Sequence, residues 1–150
     1  MELADEITIN APKDVVYAAL NDPDVLRACI PGCEELIQHS DTELEAKVVL
    51  KVGPVKARFS GNVQLDKAGA PDAFSLSGQG NGGVAGHAKG GADVRLAADG
   101  DQTILSYEAK AQVGGKIAQL GSRLIQSTAK KLAAKFFKSF ADSLNEAAVS

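Results

Sequence analysis

The sequence has 150 residues, of which 45% are hydrophobic and 23% charged, with a formal charge of −3. That balance belongs to a globular chain and excludes a disordered segment, a fibrous repeat and a uniformly basic nucleic-acid binder. One domain over residues 1–150 is expected at this length.

Leu3 to Ile9 is a short run bounded by Asn10, Ala11 and Pro12, which reads as an edge strand and a turn. Pro12 at a first helical position, followed by Val15, Val16, Ala19 and Leu20, predicts a helix as far as Asn21. Asp22-Pro23 then supplies an N-cap with proline behind it, and Pro31-Gly32 stops a second short helix. The first residues carry Glu2, Asp5 and Glu6 where a signal peptide would need positive charge, and no 18-residue apolar stretch occurs, so a cytoplasmic protein is expected.

From Glu34 to Val113 the apolar period changes to two. Leu44, Ala46, Val48, Leu50 and Val52 alternate with charged residues, and Val55, Ala57, Phe59, Gly61, Val63 and Leu65 repeat the pattern after Gly53-Pro54. Ala73 to Ser77, Val84 to Ala97 and Gln102 to Val113 continue it, with turns at 69–72 and 99–101. The connections are too short for crossovers, so six or seven antiparallel strands are expected. After Gly114-Gly115 the stretch from Lys116 to about Ala147 has helical period and no proline. A curved sheet has to bury its apolar face, and only this segment is long enough to cover it. The expected architecture is α+β, a helix-grip fold: a strand, two short helices, a meander, and a long C-terminal helix in the sheet's concavity.

Gly78, Gly80 and Gly83 fit a G-x-G-x-x-G pattern. No helical sequence follows to place amide donors under a pyrophosphate, so bends in a curved sheet are the better reading. Strand parity sets Gly78, Gly86, Ala88, Gly90, Ala109 and Ala111 on the inward face, which leaves little side-chain volume there. Either the long helix packs very close or space remains for a ligand. Leu26, Ile30, Phe59, Leu76 and Leu105, with Tyr107, Ile117, Leu120 and Leu124, can wall such a cavity, and the Tyr107 hydroxyl is one of few polar anchors available to it.

Cys29, Cys33, His39 and His87 lack the two tight pairs of a zinc site, so no metal is expected and the cysteines read as structural thiols in a reducing compartment. No catalytic constellation emerges either. Asp5 has inward parity on the first strand, which an edge strand uses to block aggregation. Charge is unevenly spread: Ala109 to Ala141 holds seven basic residues and no acid, leaving nine basic against 19 acidic elsewhere. Lys130, Lys131, Lys135 and Lys138 offer a docking face for an anionic membrane surface or an acidic partner, or simply a solvated helix face.

Several blocks together resemble one family. Asp22-Pro23, Cys29-Ile30-Pro31-Gly32-Cys33-Glu34, Val52-Gly53-Pro54-Val55, Phe59-Ser60-Gly61, Gly78-Gln79-Gly80, Val113-Gly114-Gly115-Lys116-Ile117-Ala118-Gln119-Leu120-Gly121 and Phe136-Phe137 are similar to the carbon monoxide dehydrogenase CoxG family, of the START-like SRPBCC superfamily. The likeness runs over nearly the whole sequence, except that it stops at Ser150 where longer members continue. It implies a non-enzymatic accessory protein of a CO-dehydrogenase-type molybdenum hydroxylase. Such a protein holds no covalently bound cofactor, binds a quinone or other lipophilic ligand, and assists quinone delivery or recruitment to the inner face of the cytoplasmic membrane. Two rivals remain open: a cyclase or hydrolase of the same fold, with Asp5 as its inward acid, and a pure protein–protein adaptor with a closed core.

Overall fold

Alternating sequences close into a sheet only if short turns let each strand return beside the last, and the glycine and aspartate turns of this chain do that. The computed structural model describes residues 1–149. Seven strands form: β1 (Glu2–Ile9), β2 (Cys33–Gln38), β3 (Glu43–Val52), β4 (Val55–Asp66), β5 (Ala73–Asn81), β6 (His87–Asp99) and β7 (Gln102–Gly114). All pair antiparallel in one sheet, ordered β1-β7-β6-β5-β4-β3-β2. Helices α1 (Lys13–Leu20) and α2 (Pro23–Cys29) follow β1, and α3 (Ser122–Val149) ends the chain. The α+β helix grip is therefore the observed architecture.

Caps and breakers place the helices. The Asp22 carboxylate accepts from the Asp24 amide at 2.9 Å and starts α2 with Pro23 at its first position. Pro12 is the N-cap of α1, with ψ 155°, and not its first helical residue. The terminal helix is shorter than its periodicity suggests. Lys116–Leu120 forms a separate 3-10 turn bounded by Gly115 and Gly121, whose positive φ angles of 80° and 98° interrupt the α-helix before it restarts at Ser122. Val84 likewise belongs to a 3-10 turn, Gly83–Ala85, and β6 begins only at His87.

Apolar burial divides in two. A larger cluster unites Ile9, Ala11 and Val16 with Phe74, Val94, Leu96, Leu105, Phe140 and Leu144. There the fully buried Thr103 hydroxyl donates to the Ala11 carbonyl at 2.7 Å, tying β7 to the entry of α1. A smaller cluster of Phe59, Ala85 and Ile117, flanked by Leu50, Val55 and Leu120, closes the opposite end. Between them Gly78, Ala88, Gly90, Ala92, Ala109 and Ala111 are half-buried. α3 approaches α2, β1 and β3, so it bridges the two sides of the sheet.

Candidate functional site

Strand pairing decides which side chains look toward α3. Asp5 stands opposite Tyr107, Leu3 opposite Ala109 and Ile7 opposite Leu105, so Leu3, Asp5, Ile7 and Tyr107 share one face of the β1–β7 ladder. α3 passes over this ladder and is fastened to it by the Gln126 amide, which donates to the Glu2 carbonyl at 2.7 Å. The space between edge strand and helix is a groove of about 650 Å³, floored by Leu3, Asp5, Ile7 and Tyr107 and roofed by Gln126, Lys130, Ala133, Ala134, Phe137, Lys138 and Ala141. Three alanines on the roof make the room. Glu2 borders the groove at its mouth, with its carboxylate 3.8 Å from the Lys110 ammonium on the next strand.

The rings at the groove are fixed by one another. Tyr107 stacks on Phe137 with centroids 5.2 Å apart and planes at 20°. Phe136 meets Phe137 edge-on at 5.0 Å and stacks on the buried Phe140 at 6.0 Å. Burial first, and then the Asp5 charge opposite, push the Tyr107 phenol above its ordinary pKa. It is therefore a neutral hydroxyl at physiological pH, able to donate or accept one hydrogen bond. The site thus offers an apolar slot with an aromatic wall, one phenol and one carboxylate on its floor, and lysines at its margin. Lys138 is held by Asp142 at 3.0 Å, one helical turn on.

The remaining wall candidates lie elsewhere. Leu76 lines a second depression of about 710 Å³ that crosses β1, β7, β6 and β5 and also includes Ala109 and Ala92. Leu105 is completely buried in the larger cluster, beneath the groove. Phe59 and Ile117 form the smaller cluster and Leu120 packs against it. Leu124 hangs over Gly53, where an added Cβ would come within 2.7 Å of its Cδ2 atom. Leu26, on α2, and Ile30, its C-cap, are half-buried. Of the lysines, Lys130 and Lys138 line the groove, Lys130 and Lys131 line a shallow surface depression with Arg123, and Lys135 is exposed.

Sequence reasoning missed most of the roof. Ala134, Phe137, Lys138 and Ala141 recur at helical spacing after Lys130, but nothing in that spacing says which strand the stripe will face. The glycines also have a second reason to be where they are. A Cβ on Gly90 would sit 2.3 Å from the Lys110 carbonyl and one on Gly78 2.8 Å from that of Asn62, so close backbone approach demands glycine at both. Gly83 opens only a three-residue turn in an antiparallel meander, which is not a dinucleotide site.

The two cysteines and two histidines are spread over different elements. Cys29 is buried in the larger cluster, which pushes its thiol pKa up and leaves it unreactive. The Cys33 thiol donates to the Glu35 carbonyl at 3.5 Å, His39 pairs with Glu45 at 2.9 Å, and His87 is exposed on β6. Among the described residues no three His, Cys, Asp or Glu side chains are grouped as metal ligands would be.

Comparison with known proteins fits this geometry. The carbon monoxide dehydrogenase CoxG family matches residues 6–145. A crystal structure of a conserved protein from Geobacillus kaustophilus is similar, at 26% identity over 97% of this chain and 96% of that one, with a TM-score of 0.90. A START superfamily protein from Mycobacterium smegmatis covers 97% of both chains at 13% identity and a TM-score of 0.72. The Zhui aromatase/cyclase from a Streptomyces species matches 95% of this chain and 92% of its own at 14% identity and a TM-score of 0.67. No curated protein matches.

Proposed function

Since the chain belongs to the carbon monoxide dehydrogenase CoxG family, we propose that it is a non-enzymatic accessory protein of a CO-dehydrogenase-type molybdenum hydroxylase, carrying a quinone or similar lipophile in the groove between β1 and α3. The observation that carries this reading is the aromatic, alanine-roofed groove itself, with the stacked Tyr107–Phe137 pair beside a nearly apolar slot. A planar ring can bury itself there while one oxygen meets the Tyr107 hydroxyl. Lys130, Lys131, Lys135 and Lys138 provide the docking face for the partner enzyme or for the inner surface of the cytoplasmic membrane. No helix among the described residues is long and apolar enough to cross a membrane, so membrane contact in this reading is peripheral.

The fold also houses an aromatase/cyclase, and Asp5 beside Tyr107 is the pair a proton-transfer enzyme would use. The accessory reading is preferred because the groove floor holds one carboxylate and one neutral phenol, with no nucleophile or second inward acid to complete a catalytic set. The test is a titration with a short-chain ubiquinone or menaquinone analogue followed by equilibrium dialysis. Ala133→Trp fills the roof and is expected to abolish binding while the circular dichroism spectrum stays native. Unchanged affinity in that folded variant, or no binding by the wild type, contradicts the reading.

A further inference from the structure

Because the sheet is a meander, its turns sort into two ends, and the charges sort with them. The 39–42, 67–72 and 100–101 connections lie at one end, where Asp41, Glu43, Asp66, Asp72, Asp99 and Asp101 gather around Lys67, with Asp72 paired to Lys13. The β3–β4 turn, the Gly83–Ala85 turn and the 115–121 connection lie at the other. That second end carries Lys51, Lys56, Lys116 and Arg123, all exposed and none in an ion pair among the described residues. Residues 50–57, 80–90 and 112–124 contain no carboxylate. The carboxylate of Glu34, near by on β2, is already taken by Arg58, which donates to it at 2.7 and 3.3 Å.

An apolar side chain projects from the same end. Val84 is 95% exposed, whereas the other exposed large hydrophobic residues, Val15, Ile37 and Met1, lie between 36% and 43%. The turn that carries it is anchored from below. Ala85 is buried with Phe59 and Ile117, the Asn81 side chain accepts from the Gly83 amide at 2.8 Å, and the Gly82 amide donates to the Gly86 carbonyl at 2.8 Å. Gly83 and Gly86 take φ values of +62° and +126°, so the bend is built from glycine. A lone exposed valine needs no explanation. One held at the tip of a rigid turn among four unpaired cations fits an interface with apolar depth and anionic surface.

We propose that this end docks on an anionic phospholipid surface, with Val84 among the acyl-chain boundary and Lys51, Lys56, Lys116 and Arg123 over the lipid phosphates. The six carboxylates at the far end then point away from the membrane, so the charge separation also orients the protein. The proposal deepens the docking part of the reading above and rests on it, but is independent of what the groove binds. It moves the membrane from the α3 lysines to the turn end.

The experiment is co-sedimentation of the full chain with vesicles of phosphatidylcholine mixed with phosphatidylglycerol, against pure phosphatidylcholine, over a salt series. Binding is expected only to the anionic mixture and falls as salt rises. A Lys51→Gln, Lys56→Gln, Lys116→Gln variant is expected to bind about a hundredfold more weakly, at about fivefold per lysine. Val84→Asp is expected to lose about tenfold and Val84→Trp to gain; all these positions are exposed, so the variants stay folded. Neutralising Lys130, Lys131, Lys135 and Lys138 together is expected to leave most of the binding intact. If that last variant loses binding while the turn-end variants keep it, the proposal falls and the docking reading stands. If the wild type ignores the anionic vesicles, both fall for the membrane, and the quinone titration still decides the groove.

Discussion

The two halves of α3 do different work. From Phe136 onward the helix packs into the larger cluster, where Phe140 is fully buried and Leu144 nearly so. From Leu124 to Leu132 its apolar residues are only half-buried, over a sheet surface of alanine and glycine. One half is joined to the core by large rings, and the other is held by small contacts such as Gln126 on Glu2. Hydrophobic stabilisation scales with apolar area removed from water, so the first half anchors the fold and the second can yield to a ligand.

The largest break in this contrast comes from Phe140→Ala, expected to cost about 3–5 kcal/mol in urea unfolding, since a buried ring leaves a cavity among fixed neighbours. Leu120→Ala lies over the smaller cluster and is half-buried; it is expected at or below the low end of the roughly 2–5 kcal/mol seen for buried leucines. Equal losses would show that the two ends are equally well packed. Hydrogen exchange sharpens the same point: amides of 136–144 are expected to exchange near the global unfolding rate and those of 124–132 faster. Gln126→Ala removes one hydrogen bond to the edge strand, worth about 1 kcal/mol, and should speed exchange in β1 with little change in the unfolding midpoint.

The smallest effect is on pH dependence. The Tyr107 phenol has a raised pKa in the fold, by burial and then by Asp5. Its contribution to stability is therefore complete below the unfolded tyrosine value of about 10 and declines as pH rises toward the folded value. Tyr107→Phe should flatten that alkaline decline. An identical slope in the variant would remove Tyr107 from the account.

Much of this was legible in the sequence. Period-two alternation from Leu44 to Val113 and the turn residues between its runs are local signals, and they specify the meander and the inward parity of Asp5 and Tyr107. The helix break at Gly121 was not legible, because a helical period continues across a single glycine while the φ of 98° is set by tertiary packing. The turn at Val84 was hidden for a related reason: its valine and alanine carry a strand signal, and only the seating of Ala85 against Phe59 and Ile117 turns it outward. The groove was legible as small residues on the sheet but not as a place, since which strand a helix stripe faces is a long-range fact. Ala109 accordingly belongs to the second depression, whereas Phe137 supplies the groove's aromatic wall.

The central claim, that a lipophile lies between β1 and α3, is tested most directly by photolabelling. An azido-quinone analogue irradiated with the wild-type protein and digested should mark peptides containing residues 3–7 and 126–141, with labelling suppressed by excess unlabelled quinone and by Ala133→Trp. Competed labelling confined to the smaller cluster around Phe59 and Ile117, or labelling that no quinone competes away, would contradict it.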